Sequence, residues 1–292
     1  MANKRETCLA VIGGSGIYAM PGLEVDEVRL VETPWGQPSG PVTVGHVDGV
    51  KMLFLSRHGE GHTIPPHALN VRANIAAFKM LGATDVLSLS ACGSFREEMA
   101  PGHFVAIDQF VDRTKGRVPS FFETGCVAHV SMAHPVCSRL SKEATDAACL
   151  AGATVHEGGT YLVMEGPQFS TKAESELYRS WGMDVIGMTA MPEAKLAREA
   201  ELPYAILGMV TDYDCWHPDH GAVDVASVIA TLNENRERAQ KTVAALAGIV
   251  GSQREPSPDG IETVLDFAMI TPPEARDPEL VAKLQSIAGR VF

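Results

Sequence analysis

The chain has 292 residues, of which 45% are hydrophobic and 21% are charged, and these proportions are ordinary for a globular protein. Its net charge of −12, without a basic stripe, argues against nucleic acid or an anionic membrane surface as a partner. The six cysteines lack metal-ligand spacing, and the sequence shows neither a signal-peptide pattern nor a membrane-length apolar run. We therefore expect a cytoplasmic protein with reduced thiols.

Short apolar runs rich in β-favouring residues alternate with segments of helical periodicity along the chain. The runs predict strands at 8–13, 52–56, 85–91, 104–111, 161–165, 184–188 and 204–210. The periodic segments predict helices at 68–81, 171–181, 192–201 and 222–249, the last with room for one break. The second helix starts with a capping box formed by Thr171 and Glu174.

This alternation predicts an α/β fold whose sheet is covered by helices on both faces. A segment rich in Pro, Gly and Ser at 251–260 indicates a connector, and a further helix is predicted over 273–288. We therefore divide the chain into a main domain at 1–250, which carries the motifs described next, and a C-terminal appendage with a helix at 251–292.

The most informative stretch follows the predicted strand at 204–210, where Asp212 and Asp214 stand two residues apart. If the chain stays extended, both carboxylates point the same way at the carboxyl end of a strand, where open α/β sheets bind ligands. Two neighbouring acceptors suit a planar heterocycle that donates from two adjacent nitrogens, as adenine does at N6 and protonated N7. A solvated turn that starts the next helix explains the same residues without a ligand.

Two earlier strand ends carry residues that suit an anion. Glycines and Ser15 follow the first predicted strand, so that backbone and hydroxyl can approach an anion, although a plain tight turn is an alternative. Arg57 and His58 follow the second, and a guanidinium fork beside an imidazole N–H suits phosphate oxygens. The histidines at 58, 62 and 67 fit no familiar ligand set, so we predict no metal site.

Two further strand ends give weaker signals. The strand at 85–91 runs into small residues, among them Ser90, that let backbone N–H groups face a ligand. No Gly-x-Ser-x-Gly elbow surrounds Ser90, so a serine nucleophile is not supported. Phe169 precedes the capped helix and can stack on a flat base, although a buried core phenylalanine is the ordinary explanation.

Taken together, these strings resemble the purine nucleoside phosphorylase superfamily, and within it the enzymes that act on S-methyl-5′-thioadenosine. The matching segments are 12–16, 56–63, 91–96, 102–114, 165–175, 188–193 and 211–216. The resemblance implies a single domain with a mixed central sheet flanked by helices, and a homotrimer whose pockets are shared between subunits. It also implies no metal and no organic cofactor, with inorganic phosphate as a co-substrate. It does not extend to the appendage.

Carried over position by position, the resemblance assigns roles to residues of this chain. The phosphate ligands are Ser15, Arg57, His58, Ser90, Thr189 and the backbone of Ala91. The nucleoside contacts are Met188 at the ribose, Phe169 at the base, Asp212 at N7, Asp214 at N6, and His129 at a neighbouring subunit's 5′-alkylthio group, with Val225 and Val228 as apolar lining. Gly187 departs from the Asn that is common in the adenine-specific enzymes.

The implied reaction is phosphorolysis of S-methyl-5′-thioadenosine to adenine and 5-methylthioribose 1-phosphate, a step of methionine and purine salvage. Asp212 acts as the general acid toward N7. Bound phosphate is both the nucleophile and the counter-charge to an oxocarbenium-like ribose.

Alternatives from other classes remain open. A phosphorylase for 6-oxopurine nucleosides or thionucleosides, such as inosine or methylthioinosine, is the nearest, but such relatives tend to carry Asn where Asp212 stands. A nucleotide-dependent oxidoreductase needs an acidic residue at the end of a second strand, and Glu32 lies instead in a polar loop. A nucleoside-binding protein or a hydrolytic nucleosidase needs no phosphate site. Whether base release depends on phosphate separates these functions.

Overall fold

The computed structural model describes residues 5–14, 16–17, 19–218 and 225–292. Its strands are β1 Arg5–Glu6, β2 Cys8–Gly13, β3 Glu24–Arg29, β4 Val42–Val47, β5 Val50–Ser56, β6 Asp85–Ser94, β7 Phe104–Ala106, β8 Gln109–Asp112, β9 Val155–Glu157, β10 Thr160–Val163, β11 Val185–Gly187, β12 Tyr204–Asp212 and β13 Gln253–Arg254. Its helices are α1 Val71–Met80, α2 Ser138–Leu150, α3 Lys172–Ser180, α4 Ala190–Glu199, α5 Val225–Val250 and α6 Pro278–Ala288. Short 3₁₀ helices lie at Glu60–His62, Pro66–Ala68, Ile261–Phe267, Pro273–Ala275 and Gly289–Val291.

Eleven of the strands form one mixed sheet with β6 near its centre. The strand order β3-β4-β5-β2-β6-β11-β10-β8 crosses the sheet, and β12 pairs with both β6 and β7. Strands β2, β5, β6 and β12 pair in parallel, so that their carboxyl ends lie at one edge. The last residues of β6 pair antiparallel with β11. The predicted α/β fold with a mixed central sheet is confirmed.

Alternate side chains of the central strands pack into two cores on opposite faces of the sheet. In β12, Ile206 packs in the core that contains residues of α1, α4 and α6, whereas Leu207 packs in the core that contains residues of α2 and α5. Every residue from Tyr204 to Thr211 is buried. The strand is a continuous apolar run because both of its faces are covered, and the prediction of helices on both faces is confirmed.

Most predicted strands are confirmed with small changes at their ends, but the single strand predicted at 104–111 is wrong. It consists of β7, which pairs with β9 and β12, and β8, which pairs with β10. Ile107 and Asp108 separate the two strands, and the Asp108 carboxylate accepts a hydrogen bond from the Gly159 N–H at 3.0 Å. An apolar run hides this break because residues on both sides of it face a core. The sequence analysis did not predict helix α2 or strands β1, β3, β4, β9 and β13.

The predicted helix boundaries agree well where capping residues mark them. Helix α3 begins at the predicted capping box, in which Thr171 Oγ1 accepts from Glu174 N at 3.2 Å and the Glu174 carboxylate accepts from Thr171 N at 2.9 Å. Helix α5 runs without a break over 26 residues, and the predicted residues 222–224 lie outside the described residues. No helix in the described part of the chain is long and apolar enough to cross a membrane.

Residues 251–292 pack against the rest of the chain. Strand β13 pairs antiparallel with β1, and the Arg254 guanidinium lies 2.7 Å from the buried Asp85 carboxylate. Leu284 and Ile287 of α6 lie in the same core as α1 and α4. The helix predicted at 273–288 is a 3₁₀ turn followed by α6. The division of the chain at residue 250 stays a prediction.

Candidate active site

The predicted anion-binding hydroxyls meet at the carboxyl edge of the parallel strands. The antiparallel register of β11 on β6 pairs Ile186 with Gly93, and this register brings Thr189 beside Ser90. The two hydroxyl oxygens are 2.9 Å apart although the residues are separated by 99 positions. Ala91 follows Ser90 on β6, and its carbonyl accepts from Ser90 Oγ at 3.2 Å.

Tyr161 of β10 joins this hydroxyl pair. Its hydroxyl oxygen lies 3.2 Å from Ser90 Oγ, and the side chain is fully buried. Burial raises the pKa of Tyr161 to about 12, so the phenol keeps its proton at neutral pH. The sequence analysis missed Tyr161, because an aromatic residue in an apolar strand is typical of a core.

Arg57 is a buried cation whose hydrogen-bond donors are used mainly inside the protein. Its Nε donates to Glu193 Oε2 at 2.9 Å, and its Nη2 donates to Oε1 at 3.2 Å. Nη1 donates to the Leu89 carbonyl at 3.0 Å, and Nη2 also contacts the Ile12 carbonyl and Ser88 Oγ. The guanidinium fork predicted for phosphate therefore faces Glu193. These contacts leave at most one Nη1 hydrogen for an acceptor outside the described residues.

The Arg57–Glu193 pair is held by a third buried side chain. Tyr204 donates to Glu193 Oε1 at 2.9 Å, and Glu193 is 1% exposed. Burial lowers the pKa of Arg57, but the adjacent Glu193 carboxylate outweighs this effect and leaves it above its ordinary value. Because the pair is neutral overall, Arg57 gives the strand edge no net positive charge. The sequence analysis did not predict a role for Glu193. The feature that could have indicated one is an acidic residue directly after Pro192 among apolar neighbours.

His58 adopts a form that differs from the predicted phosphate donor. Its Nδ1 lies 2.8 Å from the Ile64 carbonyl oxygen, which can only accept, so Nδ1 carries the hydrogen. Burial lowers the pKa of His58 to about 4, and the neutral ring stacks on His62 at 4.2 Å between centroids. Nε2 is therefore an acceptor near neutral pH. Among the described residues, no group of three His, Cys, Asp or Glu side chains is placed to hold a metal ion.

Ser15 lies outside the described residues, so its role stays a prediction. Before it, the carbonyl of Gly13, the last residue of β2, accepts from the Arg57 N–H at 2.9 Å. Gly16 has a φ of 98°, a backbone conformation that favours glycine.

The two aspartates are brought together by a turn, and the expectation that the chain stays extended to Asp214 is wrong. Strand β12 ends at Asp212, and Asp214 has a φ of 49°. The Asp214 N–H donates to Asp212 Oδ1 at 2.8 Å, and Thr211 Oγ1 donates to Asp212 Oδ2 at 2.7 Å. A short acidic side chain that captures the N–H two residues later makes such a turn.

Both carboxyl groups have perturbed acidities. Burial raises the pKa of Asp212, and the hydrogen bonds from Thr211 and the Asp214 N–H oppose this shift only in part. Burial raises the pKa of Asp214 as well, and the charge of Asp212 adds to the effect. A carboxyl group with a raised pKa holds its proton closer to neutral pH, which is what a general acid requires.

The other predicted nucleoside contacts differ in their burial and packing. Met188 packs against Gly166, where a Cβ would lie 2.4 Å from Met188 Sδ. Phe169 is 42% exposed, so it is not the buried core residue of the alternative explanation. At the start of α5, Val225 is 61% exposed and Val228 is partly buried.

His129 lies on a surface formed with the appendage. Its side chain is exposed, and its N–H donates to the Ala268 carbonyl at 2.9 Å. Ala128 forms an antiparallel bridge with Met269. These backbone bonds tie His129 to the C-terminal segment rather than to the strand ends of its own chain.

Arg117 supports the turn that carries Met188 and was not predicted. Its Nη1 donates to the carbonyl oxygens of Met188 and Met191 at 2.6 and 2.7 Å, and its Nε donates to Glu165 Oε1 at 3.0 Å. These bonds fix the backbone on both sides of Thr189. The residue stands in a polar loop, where sequence gives no sign of such a role.

The mixed sheet with polar groups at one strand edge is typical of the nucleoside phosphorylase class of enzymes. The chain belongs to the phosphorylase superfamily, whose sequence model matches residues 9–248. The match runs from β2 into α5 and confirms the family resemblance.

The most informative relatives share one name. The S-methyl-5′-thioadenosine phosphorylase of Cereibacter sphaeroides is 59% identical over 287 residues, which cover 98% of this chain and 99% of the relative. That of Bradyrhizobium diazoefficiens is 56% identical over 287 residues, with the same coverage. A crystal structure of methylthioadenosine phosphorylase from an Antarctic soil metagenomic library matches with a TM-score of 0.91 at 42% identity, covering 97% of this chain and 99% of that one. These matches extend into the appendage.

Proposed function

We propose that this protein transfers the 5-methylthioribosyl group of S-methyl-5′-thioadenosine to phosphate, which gives adenine and 5-methylthioribose 1-phosphate. The observation that carries the proposal is the arrangement along β6. The Ser90–Thr189 hydroxyls lie near one point of this strand, and Asp212 lies against Gly93, where a Cβ would be 2.8 Å from its Oδ1. At about 3.3 Å per residue, roughly 10 Å of strand separates the two groups, which leaves room for a ribose between phosphate and base.

The reaction exchanges one bond at C1′ for another. A phosphate oxygen forms a bond to C1′ as the bond from C1′ to N9 breaks, and the electron pair of that bond passes into the purine. Asp212, whose pKa is raised by burial, gives or shares a proton at N7 and so makes adenine a better leaving group. The reaction as written uses phosphate as a co-substrate and needs no metal or organic cofactor.

The phosphate ligands are proposed with one change from the family pattern. Thr189, Ser90, the Ala91 backbone and Ser15 supply neutral donors, and Arg57 supplies one Nη1 hydrogen and a positive charge that Glu193 balances. His58 accepts a hydrogen bond at Nε2 from the P–OH group of hydrogen phosphate, because its Nδ1 hydrogen is used by Ile64.

The pair of carboxylates supports a 6-aminopurine as the base, since acceptors beside N6 and protonated N7 suit its donors. A phosphorylase for 6-oxopurine thionucleosides is the second candidate. It is favoured by Gly187, which departs from the Asn of adenine-specific enzymes.

We propose a homotrimer with shared pockets because an exposed apolar patch lies where the segment of His129 pairs with the appendage. Exposed apolar side chains surround its pairing with the appendage: Val127 is 38%, Ile270 61% and Phe267 99% exposed. Such a patch is typical of a protein interface, and assembly would place His129 at the 5′ end of the nucleoside bound by the next subunit.

We also propose that the protein is cytoplasmic and that the chain divides at residue 250 into a catalytic domain and an appendage. All six cysteines are free, and four of them are buried, which suits a reducing compartment.

The test is turnover of methylthioadenosine, methylthioinosine, adenosine and inosine, each with and without phosphate. We expect phosphate-dependent release of adenine, fastest from methylthioadenosine. Base release at the same rate without phosphate would overturn the proposal in favour of hydrolysis. Faster release from methylthioinosine would favour the second candidate.

A further inference from the structure

Tyr161 fills the space in which a side chain at position 187 would lie. A Cβ at Gly187 would be 1.9 Å from the Tyr161 hydroxyl oxygen and 2.7 Å from its Cζ. No side chain fits at 187 while the Tyr161 ring keeps its position. Gly187 is therefore coupled to Tyr161, because the phenol occupies the space that a side chain at 187 would need.

The Tyr161 hydroxyl contacts the Ser90–Thr189 hydroxyl pair. To bind phosphate, this pair must direct a hydrogen toward it. Ser90 Oγ has three oxygen neighbours: the Tyr161 hydroxyl at 3.2 Å, the Thr189 hydroxyl at 2.9 Å and the Ala91 carbonyl at 3.2 Å. Each hydroxyl has one hydrogen to donate, and a phosphate oxygen without a proton only accepts. The direction of donation within the cluster therefore decides whether a hydrogen is left for phosphate.

We propose that Tyr161 is a positioning residue that sets this direction, because its hydroxyl donates to Ser90, Ser90 donates to Thr189, and the Thr189 hydrogen is left for phosphate. The inference rests on the proposed function, in which Ser90 and Thr189 bind phosphate. Hydrogen bonds in such a chain polarise one another, so the outermost donor becomes stronger.

The Tyr161 hydroxyl takes one of the two acceptor positions of Ser90 Oγ, and without it the pair closes on itself more readily. Thr189 then donates to Ser90, and Ser90 donates to the Ala91 carbonyl, so that neither hydrogen points outward. Phosphate must break one of these bonds in order to bind. Since burial raises the pKa of Tyr161 to about 12, the phenol remains a donor at the pH of any ordinary assay.

The experiment compares Tyr161→Phe with Tyr178→Phe, which removes the hydroxyl of another buried tyrosine, one that packs on Phe95 and Trp181. Initial rates are measured with phosphate varied at saturating methylthioadenosine, and then with the nucleoside varied at saturating phosphate. Loss of one hydrogen bond to a charged ligand predicts a rise of about tenfold or more in the phosphate KM for Tyr161→Phe. The nucleoside KM should change less than about twofold, and Tyr178→Phe should change neither.

An unchanged phosphate KM in Tyr161→Phe would overturn the inference. So would equal rises in both KM values together with a large fall in Tm, since that pattern indicates a purely structural role. If the Phe variant does not fold, 4-aminophenylalanine at position 161 decides, because it keeps a donor. Its phosphate KM should then stay within about twofold of the unmodified protein, and a tenfold rise would count against the inference. Failure of the proposed function looks different, because the unmodified protein would then release base without phosphate.

Discussion

Arg57 and Glu193 form a bidentate ion pair, with N···O distances of 2.9 and 3.2 Å, in which neither side chain is more than 3% exposed. A buried pair of this kind contributes little net stability, but removal of one partner leaves an unpaired buried charge. The guanidinium is therefore locked in one orientation before phosphate arrives. Glu193 orients Arg57 in the same way that Tyr161 orients the hydroxyl pair.

Arg57→Ala should impair both stability and phosphate use. Glu193 loses its cation, and we expect about 3–5 kcal/mol of lost unfolding free energy, measured by urea denaturation. The phosphate KM should rise strongly and kcat should fall, because the variant loses a positioned donor and a local charge.

The double variant Arg57→Ala/Glu193→Gln separates the two effects. A neutral amide removes the unpaired charge, so the unfolding free energy should recover in part while the phosphate KM stays high. Recovery of the phosphate KM along with stability would mean that Arg57 acts only on the fold. An unchanged phosphate dependence in folded Arg57→Ala would remove Arg57 from the phosphate site.

Asp212→Asn should shift the preference of the enzyme from 6-aminopurines toward 6-oxopurines. The amide can retain the local bonds, since Oδ1 still accepts from the Asp214 N–H and Thr211 Oγ1 can accept from the new NH₂ while it donates to the Cys92 carbonyl. The variant loses the proton that leaves with adenine at N7. Because the 6-position is adjacent to N7 on the purine edge, the amide at 212 can also donate to O6, which the Asp212 carboxylate would repel. The ratio of kcat/KM for methylthioadenosine to that for methylthioinosine should fall by about tenfold or more.

Asp214→Asn is the matched control for this change. It alters the neighbouring carboxylate, proposed to face N6, and should lower adenine turnover without loss of the proton donor at N7. If Asp212→Asn keeps the preference of the unmodified protein for 6-aminopurines, Asp212 does not determine the choice of base.

The sequence predicted the parallel strands and their polar ends because each strand is marked by an apolar run and a break. Asp212 and Asp214 lie close together, but in a turn rather than in the extended strand that the sequence predicted. The turn depends on the hydrogen bond from the Asp214 N–H to the Asp212 carboxylate. Contacts between residues far apart in the chain could not be predicted from the sequence. Tyr161 and Glu193 look like core and helix residues, and only the sheet register brings them to Ser90 and Arg57.

The position of the His58 ring hydrogen could not be predicted from the sequence either. The sequence placed an imidazole beside Arg57, and the resemblance made it a phosphate ligand, whereas the bond from Nδ1 to the Ile64 carbonyl determines which nitrogen can donate. Such a tautomer depends on the loop that returns six residues later, and local sequence does not encode it.

His58 should make folding stability depend on pH in a defined window. Its pKa in the folded protein is about 4, below the ordinary value of 6.5, so the unfolded chain binds the proton first as the pH falls. Stability from this group is therefore complete above about pH 6.5 and is lost as the pH falls toward 4. Between pH 8 and pH 5 we expect the unfolding free energy to fall by on the order of 1–2 kcal/mol more than in His58→Gln, as measured by urea denaturation. Equal falls in the two proteins would show that His58 titrates normally.

His129→Ala should impair methylthioadenosine turnover and leave phosphate binding nearly intact. The side chain is exposed, and its backbone is bonded to the appendage rather than to the strand ends. The contacts of His129 within one chain therefore do not indicate a ligand contact. In the proposed trimer it closes the 5′ end of a neighbour's pocket. Phosphate binding by the variant can be followed by calorimetry and should match that of the unmodified protein.

Subunit mixing tests whether His129 acts across the interface. Subunits of His129→Ala and of Asp212→Ala, both with impaired turnover, are denatured together, refolded and compared with each variant refolded alone. If each pocket takes Asp212 from one subunit and His129 from the next, about one site in four of a random mixture has both residues intact, and activity should return to that extent. Activity that stays absent in oligomers shown to be mixed would assign His129 to its own subunit's pocket or to no pocket at all.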